Sequence, residues 1–392
     1  SINANVALWD LSPVASEIEA QTIRWIAELV GYKPDCGGLM VSGGNMANIL
    51  AFLAARRAKT SDQIRTAGLR NDPQRLTVYC ASETHTWIQK ATDISGLGTD
   101  SIRWIETDDD QRMNVDQLRR QLEDDLASDY KPFMVIATAG TVSTGAVDPL
   151  IAIHRVAHDY DLWFHVDGAY GAPAAALPEA DDELKALTLA DSIALDPHKW
   201  LYAPLEAACT LMRERRHLVD AFTYRPPYYR FDDDVETSGN DYYSLGLQNS
   251  RGFRALKVWL ALRHCGRRGY VELIRNDITL AQQLFDEAQR HDRLEALTQN
   301  LSITTFRFIP AGLAGDPEAM EPYLNELNAA LVERLQASGE IYVSNAIVNG
   351  RYVLRACLVN FRTTQADIAE VPDIVVRVGT ALDAEMRPEN LR

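Results

Sequence analysis

Cysteine is scarce in this chain: Cys36, Cys80, Cys209, Cys265 and Cys357 are the only five in 392 residues. An odd, widely spaced set does not make a disulfide framework, so free and mostly buried thiols are expected. Neither CxxC nor HExxH occurs, which removes two common metal-site signatures. No apolar run approaches the roughly 18 residues of a membrane span, and the start "SINANVALWD" lacks the basic-then-apolar layout of a secretory signal. These absences predict a soluble, cytoplasmic protein. Basic residues are also in deficit, with 39 Lys+Arg against 55 Asp+Glu and a net charge of −16. That balance favours solubility and works against an electrostatic grip on nucleic acid or anionic lipid. It leaves the charge of a small substrate open. Internal repeats and low-complexity tracts are missing as well.

What is present is an alternation. "LTVYC" (76–80), "SIRWIE" (101–106), "FMVIAT" (133–138), "LWFHVD" (162–167), "DSIAL" (191–195) and "AACTLM" (207–212) read as strands. Amphipathic stretches such as 114–126 and 149–160 fall between them, which predicts a mainly parallel sheet covered by helices. Ahead of this block, "SPVASEIEAQTIRWIAELV" opens a helix with Ser12 at the N-cap and Pro13 at the first helical position. After it, helices from Ser250 to about Arg290 lead to a smaller α/β unit, with strands at 302–310, 341–345 and 351–359 and helices near 318–337 and 364–386. The expected division is a first segment and helix (1–30), a large domain (31–290) and a small C-terminal domain (291–392). The acidic stretch "RFDDDVETSGNDYYS" (230–244) is long enough to be a mobile loop.

Ligands in such sheets sit past the carboxyl ends of strands, so the residues there form one candidate set. "VSGGNMANILAFLAARR", placed before the sheet, puts Gly43, Gly44 and Asn45 at the mouth of a helix, where free amides and partial positive charge suit a phosphate. The plainer reading is a turn. His85 in "SETHTWIQKA" follows the strand ending at Cys80 and is either a functional histidine or a surface or capping residue. Thr138, Gly140 and Thr141 make a hydroxyl-rich turn, functional or simply structural. Asp167 in "FHVDGAYGA" ends an apolar strand, where a carboxylate needs a cationic partner. Lys199 in "SIALDPHKWL" either snorkels to solvent or is held inside for its amine. A phosphate cradle, a histidine, a carboxylate seeking a cation and an enclosed lysine together fit pyridoxal phosphate. That cofactor bonds a lysine as a Schiff base and acts as an electron sink.

The ordered combination "SGGNMAN", "SETHTW", "HVDGAYG" and "DPHKW" resembles the group II pyridoxal-phosphate amino-acid decarboxylases, which include aromatic-amino-acid and glutamate decarboxylases. The similarity runs from "SPVASEIE" through "LRACLVNFRTT". It implies the fold type I, aspartate-aminotransferase-like architecture, with a mainly parallel sheet in a large domain plus a small C-terminal α/β domain. It also implies roles: Lys199 as the Schiff-base lysine, Asp167 on the pyridinium nitrogen, Ala169 under one ring face and His85 on the other. Gly44 and Asn45 would hold the phosphate with His198, and Thr138 would lie near the phenolic oxygen. Lys199 is then inside because its amine is the attachment point, with Trp200 and Leu201 packed beside it. Spacing from Lys199 matches Tyr228 to the loop tyrosine that protonates the substrate carbon in animal aromatic decarboxylases, with the acidic run as part of a lid. The resemblance further implies a homodimer, with "LQNS" (247–250) reaching the partner's phosphate. Family members carry some tens of residues before the "SP" helix, where this sequence has eleven. The uncharged Ala7, Leu8 and Trp9 favour an aromatic over an acidic amino-acid substrate.

Three readings remain at this level: an L-amino-acid decarboxylase forming an amine, a transaminase or aldehyde-forming variant on the same cofactor, and a non-catalytic cofactor-binding relative.

Overall fold

A computed structural model describes residues 3–69, 74–224, 241–314 and 316–391. The chain divides into two compact units: residues 1–139 with 147–271, and residues 140–146 with 272–392.

The first unit begins with α1 (Pro13–Leu29), β1 (Gly37–Val41), α2 (Gly44–Lys59), α3 (Gln63–Ala67), β2 (Arg75–Ala81), α4 (Trp87–Ile94) and β3 (Ile102–Ile105). It continues with α5 (Val115–Ala127), β4 (Tyr130–Thr138), α6 (Leu150–Asp159), β5 (Trp163–Asp167), α7 (Asp182–Lys185), β6 (Ser192–Leu195), β7 (Ala208–Met212) and α8 (Arg216–Phe222). Helix α9 (Ala255–Arg290) runs on past the unit's end and breaks at Gly266, whose φ of 67° is outside helical space. The strands form one seven-stranded sheet in the order β1-β7-β6-β5-β4-β2-β3. From β6 to β3 every pairing is parallel, while β7 runs antiparallel to both of its neighbours. The central strands are buried along their whole length because helices cover both faces, so they show no polar alternation. Helix α2 packs on this sheet and buries Ala47, Leu50, Ala51, Phe52, Ala54 and Ala55, its alanines allowing a close approach.

Ser12 stands at the N-cap of α1 with Pro13 at the first helical position, as expected, but its side chain makes no capping bond. The Gly43–Gly44 turn does not precede the sheet: it follows β1, an edge strand that the sequence reading passed over. Glycines are poor strand formers, which hid "GGLMV". They serve close packing here, since a Cβ on Gly37 would meet Arg215 Cα at 2.6 Å and one on Gly38 the Thr210 carbonyl oxygen at 2.7 Å.

The second unit holds β8 (Leu294–Asn300), β9 (Ile303–Phe308), α10 (Pro317–Ser338), β10 (Ser344–Val348), β11 (Arg351–Cys357) and α11 (Gln365–Met386). Its antiparallel sheet has the order β10-β11-β9-β8. Phe306, Phe308, Leu327, Leu331, Leu354 and Val375 lie in its core. The strand expected at 341–345 lies three residues later, because Ala346 and Val348 are the inward-facing pair while Tyr342 is exposed. Thr364 caps α11 in a reciprocal box with Asp367. All five cysteines are free, Cys80 and Cys209 being buried. Among the described residues no helix is long and apolar enough to cross a membrane.

Candidate active site

Parallel register sets Thr138 beside Asp167 and Asp167 beside Ala194, so β4, β5 and β6 end on one edge of the sheet. Asp167 closes β5 and is 5% exposed. Three neutral donors hold it: Trp87 Nε1 at 2.7 Å and Asn48 Nδ2 at 3.2 Å on Oδ2, and the Ala169 backbone N–H at 3.2 Å on Oδ1. Asn48 is fixed in turn, since its Oδ1 lies 2.7 Å from His165 Nε2, while His165 Nδ1 is 2.8 Å from Ser192 Oγ. Burial pushes the His165 imidazole down to about 4, against the upward pull of the Asp167 charge. The ring is therefore neutral at pH 7, and a chain of hydrogen bonds runs from β6 through β5 to α2.

Past β6 the segment 196–201 turns back. Asp196 has a side chain 2% exposed; its Oδ2 takes Lys199 Nζ at 3.0 Å and stands 3.6 Å from His198 Nε2. His198 Nδ1 accepts the Ala207 N–H at 3.0 Å, which leaves Nε2 to hold the ring proton on the Asp196 side. Burial raises the Asp196 carboxyl above its ordinary range, opposed by Lys199 and His198. One correction concerns the lysine. Lys199 is not enclosed, its side chain being 42% exposed, while its ammonium reaches the buried Asp196. Trp200 and Leu201 are buried as expected, Trp200 stacking on Tyr170 with ring centroids 4.9 Å apart.

Gly44 and Asn45 occupy the first turn of α2, whose N-cap residue, Gly43, makes no side-chain capping bond. A Cβ on Gly44 would meet Asp196 Oδ2 at 2.7 Å, so this turn and the lysine loop touch. Thr138 donates its backbone N–H to Asp148 at 2.7 Å, yet its buried hydroxyl has no partner. His85 is exposed, and its Nδ1 accepts the Trp87 N–H at 3.2 Å, so it does cap the start of α4. In the second unit, Thr141 and Thr144 bond each other at 3.1 Å, the turn chemistry that was the plainer reading of that segment. Tyr228, Tyr229 and residues 230–240 lie outside the described residues.

Thr138, Asp167, Ala169, His198 and Lys199 thus gather at the carboxyl edge with the first turn of α2. Asn48, Trp87, His165 and Asp196 belong with them and were not singled out from sequence. Asp196 had a signal: an acid three residues before the lysine, directly after a strand.

These groups fit a phosphorylated aldehyde cofactor. The amine is reachable, the glycine at the helix mouth leaves no room for a side chain, and Thr138 and Asp196 each keep a buried oxygen unbonded. The fold and these groups define the class, a fold type I pyridoxal-phosphate enzyme. A family model described as "Pyridoxal-dependent decarboxylase conserved domain" matches residues 1–309. An aromatic-L-amino-acid decarboxylase of Bacillus atrophaeus is 35% identical over 93% of this chain and 73% of its own length. A phenylacetaldehyde synthase of a Rosa hybrid cultivar is 31% identical, covering 94% and 73%. The crystal structure of an Oryza sativa TDC with PLP and tryptamine matches at a TM-score of 0.88 and 30% identity, over 97% of this chain and 79% of that one. The chain belongs to the pyridoxal-dependent decarboxylase family. Its cofactor is pyridoxal phosphate, and it is a lyase.

Proposed function

We propose that this protein decarboxylates an aromatic L-amino acid, breaking the bond from Cα to the carboxylate to release carbon dioxide and adding a proton at Cα to give the amine. The observation that carries the reading is Lys199 at the carboxyl edge of the sheet, its amine 3.0 Å from the buried Asp196 and beyond the strand next to Asp167. The bound cofactor supplies an electron-withdrawing ring. Lys199 would hold it through the aldehyde, and Asp167, which accepts three N–H donors, would pair with the ring nitrogen, the cation its position calls for. Gly44 and Asn45 offer backbone amides to the phosphate with His198, and the unbonded Thr138 hydroxyl is available to the phenolic oxygen. Ala169 would pack on one ring face and His85 on the other. Tyr228 delivers the proton to Cα.

The aromatic assignment is supported by relatives named for aromatic amino acids and by the uncharged Ala7, Leu8 and Trp9. The working form in this reading is a cytoplasmic homodimer, and a fully active monomer at micromolar concentration contradicts that part. A second reading, aldehyde formation, is favoured by the rose relative. Incubating the holoenzyme with aromatic, acidic and diamino acids, with carbon dioxide and product measured, tests both. Amine and carbon dioxide in equal amounts from an aromatic substrate are expected. Aldehyde with consumption of dioxygen supports the second reading, and release from glutamate alone rejects the aromatic assignment.

A further inference from the structure

Asp196 is an acid where an anion-binding site would be expected to exclude one. Its carboxylate lies against the first turn of α2, whose N-cap is Gly43, close enough that a Cβ on Gly44 would meet Oδ2 at 2.7 Å and Oδ1 at 3.1 Å. A helix N-terminus draws anions, and this one already has one. Oδ1 is buried without a bond, and the side chain is 2% exposed. The groups facing it are Lys199 at 3.0 Å and His198 at 3.6 Å from its own loop, Asp167 from β5 and Cys209 from β7. The positive side of this balance rests on Lys199, the amine that the cofactor aldehyde engages.

We infer that Asp196 takes up one proton when the cofactor phosphate docks at the first turn of α2, so that cofactor binding is linked to proton uptake. The inference rests on the proposed placement of the phosphate. A dianion brought beside a buried carboxylate raises the carboxyl's proton affinity by like-charge repulsion and further loss of water. Once protonated, Asp196 changes from a competitor into a donor, its hydroxyl hydrogen free to bond a phosphate oxygen. Burial already lifts its proton affinity before any ligand arrives.

The probe is pyridoxine 5′-phosphate, which lacks the aldehyde and forms no bond to lysine. At pH 8 its phosphate is fully ionised, with a second pKa of about 6 typical of phosphate monoesters. Calorimetry in two buffers of different ionisation enthalpy counts the protons. Wild type should take up close to one proton per site, its affinity falling about tenfold per pH unit between pH 7 and 9. Asp196→Asn should take up none, bind about tenfold more tightly at pH 8 and show a flat profile. Asp196→Ser, equally uncharged and smaller, should behave alike if the amide disturbs folding. Equal uptake in wild type and both variants overturns the inference while leaving the phosphate site intact, as does absence of uptake in wild type. Unchanged affinity in Gly44→Val, which fills the seat, shows that the phosphate binds elsewhere and removes the reading beneath it.

Discussion

Trp87 and Asp167, 80 positions apart in the chain, meet through an indole N–H that donates to Oδ2 at 2.7 Å. Trp87 is fully buried at the start of α4, so the first turn of that helix and the end of β5 are tied through the carboxylate. A hydrogen bond to a carboxylate contributes about 1.5–3 kcal/mol. Trp87→Phe keeps an aromatic ring and loses the donor. It should lower the urea midpoint by an amount equivalent to about 2 kcal/mol without changing the slope. An unchanged midpoint removes this bond from the account.

The buried His165 predicts a pH dependence. Folded, its imidazole titrates at about 4; unfolded, near the ordinary 6.5. As pH falls below 6.5 the unfolded chain gains a proton that the folded chain refuses, and stability is lost until pH 4. Between pH 7 and 5 that loss comes to about 2 kcal/mol. His165→Gln should be less stable at pH 7 but should lose less between the two pH values. Denaturation curves at both, for parent and variant, make the comparison; parallel losses contradict it.

The strands β4, β5 and β6 were legible because a buried parallel strand is mainly apolar, and "FMVIAT", "LWFHVD" and "DSIAL" are mainly apolar runs. Strand β1 was not, since Gly37 and Gly38 show their use only against Arg215 and Thr210, which are distant in sequence. Strand β8, "LEALTQN", is too polar and only partly buried to announce itself. Lys199 and Asp167 could be read from position after a strand. The donors that hold Asp167 could not, because Asn48 lies 119 positions away and looks like one polar residue inside an apolar helix. Lys199 was expected inside; its side chain is instead 42% exposed with the amine paired to Asp196, a pairing that spacing alone does not state.

Tyr228 falls outside the described residues, and its role rests on spacing from Lys199. If its phenol protonates the substrate carbon, Tyr228→Phe should lose about 10² to 10⁴ in amine formation, the range of general acid catalysis. Folding and cofactor content should be kept, with part of the carbon appearing as aldehyde. Tyr229→Phe should change the rate by no more than a few-fold. Amine output from Tyr228→Phe within a few-fold of the parent moves the proton to another group, with His85 first to be tested.

The attachment of cofactor to Lys199 is the claim on which the rest depends, and reduction of the holoenzyme with borohydride tests it directly. Reduction fixes the lysine to the cofactor, and peptide mapping identifies the labelled residue. The account predicts one label per chain, on Lys199, and none on folded Lys199→Ala. A label on any other lysine, or the same amount of label on Lys199→Ala, contradicts it.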